Sequence, residues 1–244
     1  MTVMRIALAS LITLPLPAVA QEDWQFTGTL YGWLPGINTA IETPLGEVEA
    51  EVEFSDILDK LDFAFLAAIE ARKGRLTLVG DLQYFDLGAE ASPGTAAINS
   101  VDIDSQVTVL GGYALYSVSD SPDTRVELGG GLRFYDAKFD TVVTGSTPLS
   151  FSDDGNWADA VLSARVTQAF NEDWFGVAYL DVGGFGLGDS SDLTVQTYVA
   201  AGYRLNDTWS AVAGYRHLMF ERDFDGRTVT SNVGGPVIGF QKKF

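Results

Sequence analysis

Val233-Gly234-Gly235-Pro236-Val237-Ile238-Gly239-Phe240-Gln241-Lys242-Lys243-Phe244 is the last stretch of the sequence. In it Ile238, Phe240, Lys242 and Phe244 occupy one set of alternate positions, and the set ends on an aromatic residue. A two-residue period is that of a β-strand, whose successive side chains point to opposite faces. The opposite end of the chain carries a secretory pattern. Arg5 is a basic start, Ile6 to Leu16 is a short apolar run, and Ala18-Val19-Ala20 is a cleavage site. The apolar run is shorter than the ~20 residues a membrane helix needs. A signal peptide over residues 1–20 and a mature chain from Gln21 follow. A secreted chain with an alternating last strand predicts a β-barrel that spans the bacterial outer membrane.

The composition narrows the alternatives. Beyond Ala20 there is no long apolar run, while 46% of residues are hydrophobic and 20% charged. That excludes a helical membrane protein and a disordered chain. Residues 21–244 fit one all-β domain. The chain has no Cys, so no disulfides brace it and no lipid anchor is expected at the cleavage site. The net charge of −18 excludes nucleic acid as a partner. Acid is concentrated in residues 35–62, where Glu42, Glu47, Glu49, Glu51, Glu53, Asp56 and Asp59 face Lys60 alone.

Alternating segments bounded by turn residues predict strands at Trp24–Leu34, Phe63–Arg72, Arg75–Leu87, Ile103–Tyr116, Arg125–Lys138, Ala158–Phe170, Trp174–Leu187, Leu193–Arg204, Trp209–Phe224 and Val233–Phe244. The connections alternate short and long, as periplasmic turns and extracellular loops do. The fold expected is a single antiparallel up-and-down transmembrane barrel of about ten strands, with eight as the alternative. The long acidic loop over 35–62 contains its own alternation from Ile37 to Phe54, which reads as a projecting hairpin. Ser55 to Leu61 reads as a short helical turn.

Faces follow from the period. Phe63, Phe65, Ala67, Ile69 and Ala71 share one face and Leu66, Ala68, Glu70 and Arg72 the other. Charge on the lipid face is costly, so the polar sets belong in the lumen. Glu70, Asp81, Glu127, Asp159, Asp181, Arg133, Arg165, Arg204 and Arg216 are then candidates for an internal ion-pair network, since buried charges require partners. Trp24, Trp33, Trp174, Tyr203 and Trp209 fall at strand ends, where an aromatic girdle meets the headgroups.

Several motifs resemble those of a known group. Asp181-Val182-Gly183-Gly184-Phe185-Gly186-Leu187-Gly188, Ala201-Gly202-Tyr203-Arg204, Gly214-Tyr215-Arg216 and the final stretch to Phe244 resemble the small outer-membrane barrel proteins of proteobacteria, the OmpA/OmpW-like group. The resemblance implies that Ile238, Phe240 and Phe244 form the signal read by the barrel-assembly machinery, with periplasmic chaperones as earlier partners. It also implies contact with outer-membrane lipids and lipopolysaccharide.

Chemistry is weakly marked. His217 is the one histidine, and a hydrolase of this membrane would need a Ser two positions on, where Met219 stands. Asp153-Asp154-Gly155-Asn156 and Asp223-Phe224-Asp225-Gly226 lack the distal Glu of a calcium loop. No catalytic residue and no cofactor is expected. The expected role is structural or surface-interacting in the cell envelope. A narrow porin-like channel for small solutes or hydrophobic molecules is the alternative, and a membrane-embedded lipid hydrolase comes third.

Overall fold

The computed structural model describes residues 23–43, 46–52, 61–91, 98–145, 149–224 and 227–244. Within these, β1 (Gln25–Trp33) is followed by β2 (Gly36–Thr43), β3 (Gly46–Val52), β4 (Leu61–Lys73), β5 (Leu76–Ala91) and β6 (Ile98–Asp120). Then come β7 (Thr124–Gly145), β8 (Leu149–Ala169), β9 (Trp174–Gly184), β10 (Leu193–Arg204), β11 (Trp209–Phe224) and β12 (Arg227–Lys243). β1 and β4 to β12 pair in chain order, each antiparallel to the next, and β12 returns to β1. Ten strands therefore close into a barrel. Closure removes the open edge, whose unpaired backbone groups lipid cannot satisfy.

The closing seam runs Thr27 against Lys243 through Trp33 against Val237. β2 continues on β12 in the same register, from Gly36 against Gly234 to Ile41 against Val229. β1 and β2 are thus one strand interrupted at Leu34-Pro35, where proline has no N–H to give. The amide of Leu34 still donates to the Pro236 carbonyl at 3.0 Å. On the other side, the β1–β4 ladder ends at Leu30 against Ala67, and beyond it β2 pairs with β3. The alternating segment after Pro35 is therefore a projecting hairpin, as its pattern predicts. The helical turn expected over Ser55 to Leu61 lies outside the described residues except for Leu61, which opens β4.

The strands outrun their predicted ends mainly on one side. β6, β7 and β8 have 23, 22 and 21 residues. A spanning strand needs ~9–11 residues. The excess lifts these hairpins roughly 25 Å above the membrane, allowing for strand rise and tilt. The segments read as loops at Gly88–Asp102, Phe139–Trp157 and Asp225–Asn232 are largely paired strand.

Exposure follows the period-2 prediction. Leu30, Ile69, Leu110, Leu162, Val199 and Ile238 are exposed on the outer wall, at 47–67%. Thr77, Glu127, Arg133, Asp159, Asp181 and Thr194 are fully buried inside. A chain that exposes its aliphatics and buries its charges is inverted relative to a soluble domain, and lipid is the solvent that stabilises that arrangement.

Glycine sets the curvature at one place. A Cβ at Gly131 would collide with the Gly112 carbonyl oxygen, and one at Gly129 with that of Ala114. β6 and β7 approach closely there, and only residues without a side chain permit it.

Candidate functional site: the lumen

Inward-facing residues stack in layers. Nearest the short turns, Arg72 donates to Gln25 Oε1 at 2.8 Å and Arg125 pairs with Asp120 at 2.7 Å. Arg204 donates to the turn carbonyls of Asn171 and Glu172, at 3.2 and 2.7 Å, and its guanidinium lies 5.1 Å from the Phe175 ring centre.

Above this, Arg165 bridges two carboxylates. Its Nε is 2.7 Å from Glu127 and its Nη1 2.6 Å from Glu70. Glu127 also accepts from Thr77 at 2.7 Å. β4, β7 and β8 supply the three charges, and alternation aims each inward.

The middle layer crosses the barrel. Asp81 on β5 accepts from Tyr31 at 2.5 Å, from Arg216 at 2.9 Å and from Gln83 at 3.0 Å. Arg216 also donates through Nε to Gln196 Oε1 at 2.9 Å and through Nη1 to Tyr31 at 3.0 Å. Gln196 turns its amide to Asp181 at 3.2 Å. Asp181 accepts from Tyr179 at 2.9 Å and pairs with Arg133, which reaches Thr194 at 3.1 Å. One amide side chain thereby joins two ion pairs into a single network. Charged hydrogen bonds of this kind are roughly twice as strong as neutral ones.

An apolar layer lies over the network. Trp33, Leu66, Val109, Tyr135, Leu218 and Val237 form a buried cluster at 4–6% exposure. It rests on the charges below, with the Arg216 guanidinium 5.3 Å from the Trp33 ring centre. Tyr135 stacks on Trp157 at 4.6 Å, and Phe220 lies 5.6 Å from Trp157. The tight connection from β9 to β10 tucks inward here. Ser191 gives its amide and hydroxyl to the buried Asp159 at 2.7 and 2.9 Å. Gly184, Gly186 and Gly188 take positive φ in this turn, and Phe185 does so at 60°.

The structure brings Glu70, Asp81, Glu127, Asp181, Arg133, Arg165 and Arg216 together in these layers. Arg204 stands apart: it pairs with no carboxylate among the described residues and serves the turn instead. Trp33 corrects the girdle expectation. It continues the inward set Thr27, Thr29 and Tyr31 and is 5% exposed, so it caps the lumen rather than meeting lipid. Trp24, Trp174, Tyr203 and Trp209 are exposed at the turn end, at 38–48%. Ile238, Phe240 and Phe244 face outward, and Lys242 lies over the Trp209 and Phe244 rings at 5.4 and 5.0 Å. His217 alternates with the buried Arg216 and Leu218, so it faces away from the lumen carboxylates. The apolar cap escaped sequence reasoning, as did Tyr31 and Gln83 and the joining role of the lumen-facing Gln196. Inward parity marked each of them, but nothing marked which would meet.

Over 96% of its length the chain superposes on the outer-membrane protease OmpT from Escherichia coli, covering 99% of that chain at a TM-score of 0.59 and 10% identity. The fold is that of the outer-membrane β-barrels. Two further barrels are less similar. The translocator domain of the autotransporter NalP from Neisseria meningitidis is 11% identical, with 94% of this chain and 91% of that one covered at a TM-score of 0.43. Ail, the attachment invasion locus protein of Yersinia pestis, is 10% identical, with 91% and 99% covered at 0.41. No protein-family model matches the sequence, and no curated protein matches it. Sequence identity this low carries the barrel architecture and no activity.

Proposed function

We propose that this barrel is a non-conducting integral protein of the outer membrane whose role is to hold long β-hairpins outside the cell for surface interaction. Export by the N-terminal signal peptide and insertion by the barrel-assembly machinery, reading Ile238, Phe240 and Phe244, belong to the same reading. The observation that carries it is the apolar layer of Trp33, Leu66, Val109, Tyr135, Leu218 and Val237 above a continuous charged network. Water and ions have no favourable path through a packed apolar layer. The hairpins above it are acidic, with Glu47, Glu49 and Glu51 at every second position of β3. Lipopolysaccharide, bridged by divalent cations, is the surface partner this charge suits.

The role is non-catalytic in this reading. Glu70, Asp81, Glu127 and Asp181 are engaged by arginines and Asp159 by Ser191, and His217 stands on the opposite face of the wall from them. Lipid A changed in a His217→Ala strain, relative to wild type, would restore the hydrolase reading.

Single-channel recording in planar bilayers tests the main proposal. The protein is expected to be silent, whereas Trp33→Ala combined with Tyr135→Ala gives current steps. Reproducible cation-selective steps from the unaltered protein, shifted by Asp81→Asn, would replace the closed barrel with the narrow channel.

A further inference from the structure

Below the network, a cavity of about 420 Å³ fills the turn-end half of the lumen. That lies within the ~300–1,000 Å³ range of small-molecule sites. Much of its wall is apolar, formed by Val79, Leu115, Val177, Ala200 and Val212, and Thr27, Thr29, Thr167 and Ser210 line it as well. Its inner end is the Asp81–Arg216 pair, and its mouth carries Arg72, Arg125, Arg204 and Lys243.

The charge of the lining opposes that of the chain. Glu70, Asp81 and Glu127 are its carboxylates; Arg216 pairs with Asp81 and Arg165 is shared by Glu70 and Glu127, so one negative charge there is in excess against the four cations of the mouth. Of the four cations at the mouth, Arg125 alone has a carboxylate among the described residues, Asp120. Arg72 holds the neutral Gln25, and Arg204 holds backbone carbonyls. Lys243 has no ion pair among the described residues. In addition Arg125 Nη1 is shut from solvent without an acceptor. A protein of net charge −18 thus places unneutralised positive charge at one opening, with apolar walls behind it. A small hydrophilic anion would use the cations and leave the walls wet. A neutral alkane would use the walls and leave the cations idle.

We propose that this cavity binds an amphipathic anion with one alkyl chain, its head on Arg72, Arg204 and Lys243 and its chain against Val79, Leu115, Val177 and Val212. The head is a carboxylate or a phosphate monoester, either of which the guanidinium fork accepts in two-point fashion. The source is accordingly a free fatty acid or a single-chain phospholipid. The site goes beyond the surface role and stands on the periplasmic side of the cap, so it survives even if the cap proves to conduct.

Native mass spectrometry of the folded protein, released from a neutral polyoxyethylene detergent, tests this with dodecanoate, dodecyl phosphate, dodecanol and inorganic phosphate. One equivalent of an alkyl anion is expected, with dodecanol and inorganic phosphate at least about tenfold weaker. Across hexanoate, octanoate and decanoate, each added methylene should strengthen binding by up to about fourfold until the cavity is full. Retention of dodecanoate but not dodecyl phosphate identifies the free acid, and the reverse identifies the phospholipid type. Arg204→Gln with Lys243→Gln should weaken the anions about tenfold, and Val177→Phe, which narrows the cavity, should weaken dodecanoate more than hexanoate. Val177→Leu serves if Val177→Phe fails to show the heat-dependent gel shift of a folded barrel. Equal retention of dodecanol, affinity independent of chain length, or a chain-length dependence unchanged by the narrowed variant would each overturn the proposal.

Discussion

Arg216 on β11 donates to Asp81 on β5 at 2.9 Å across the lumen, although the two strands are not neighbours in the wall and the residues are 135 apart in sequence. The bond ties opposite sides of the barrel together. It also seats the charged layer directly under Trp33, so the polar and apolar parts of the lumen share one residue, Arg216.

Asp81→Asn leaves that guanidinium buried without its counter-charge. The expected loss is about 3 kcal/mol of folding stability, the usual cost of removing one member of a buried pair. Replacing both, as Asp81→Asn with Arg216→Met, should recover part of it, because an uncharged pair has no desolvation cost to offset. Urea unfolding from lipid vesicles measures both, and equal losses in the single and double variants would contradict the pairing.

Depth on the outer wall is the next test. Leu162 is 67% exposed and pairs with Gly130 and Val182 in mid-strand, whereas Phe170 is 65% exposed beside the turn. Leu162→Arg should cost ~2–4 kcal/mol and Phe170→Arg ~0–1, since the penalty falls toward the interface. The same vesicle assay compares them. A larger cost at Phe170 would reverse the assigned membrane position.

At Gly131 a single methyl group meets the Gly112 carbonyl. Gly131→Ala should therefore destabilise by ~1–3 kcal/mol through overpacking, despite alanine's lower conformational entropy in the unfolded chain. Gly32 is the control, because a Cβ there meets nothing within 4 Å. Similar thermal midpoints for Gly131→Ala and Gly32→Ala would disprove the close approach.

Phe244 gives its amide to Phe26 across the closing seam at 3.0 Å and lies under Lys242. Deleting it removes a seam bond and the terminal aromatic together. Surface levels measured by protease accessibility on intact cells should fall. Levels matching the wild type would remove Phe244 from the assembly signal.

Strand number, facing and the turn end were legible because lipid allows only a closed ladder and one apolar face. Glu70 and Arg72 declare the lumen side of β4 by parity alone, and Ile238 and Phe240 declare the lipid side of β12. Trp33 shows the limit of composition without parity. An aromatic at a strand end suggests a girdle, but its odd position beside Tyr31 puts it inside. The extent of the hairpins was misjudged for a different reason: above the membrane neither face needs to be apolar, so the pattern that marks a spanning strand fades while pairing continues from Phe139 against Ser105 to Val143 against Val101.

By itself the sequence determined an antiparallel barrel with its charges inside, because alternation and the dielectric of lipid leave no other arrangement for Glu127, Arg133 or Asp181. Only the tertiary structure decided which charges meet. Partners such as Asp81 and Arg216 lie on strands that never pair, so their contact depends on barrel curvature and stagger, which no local pattern encodes. The same curvature gathers Trp33, Leu66, Val109, Tyr135, Leu218 and Val237 into a cap and leaves the cationic cavity below it.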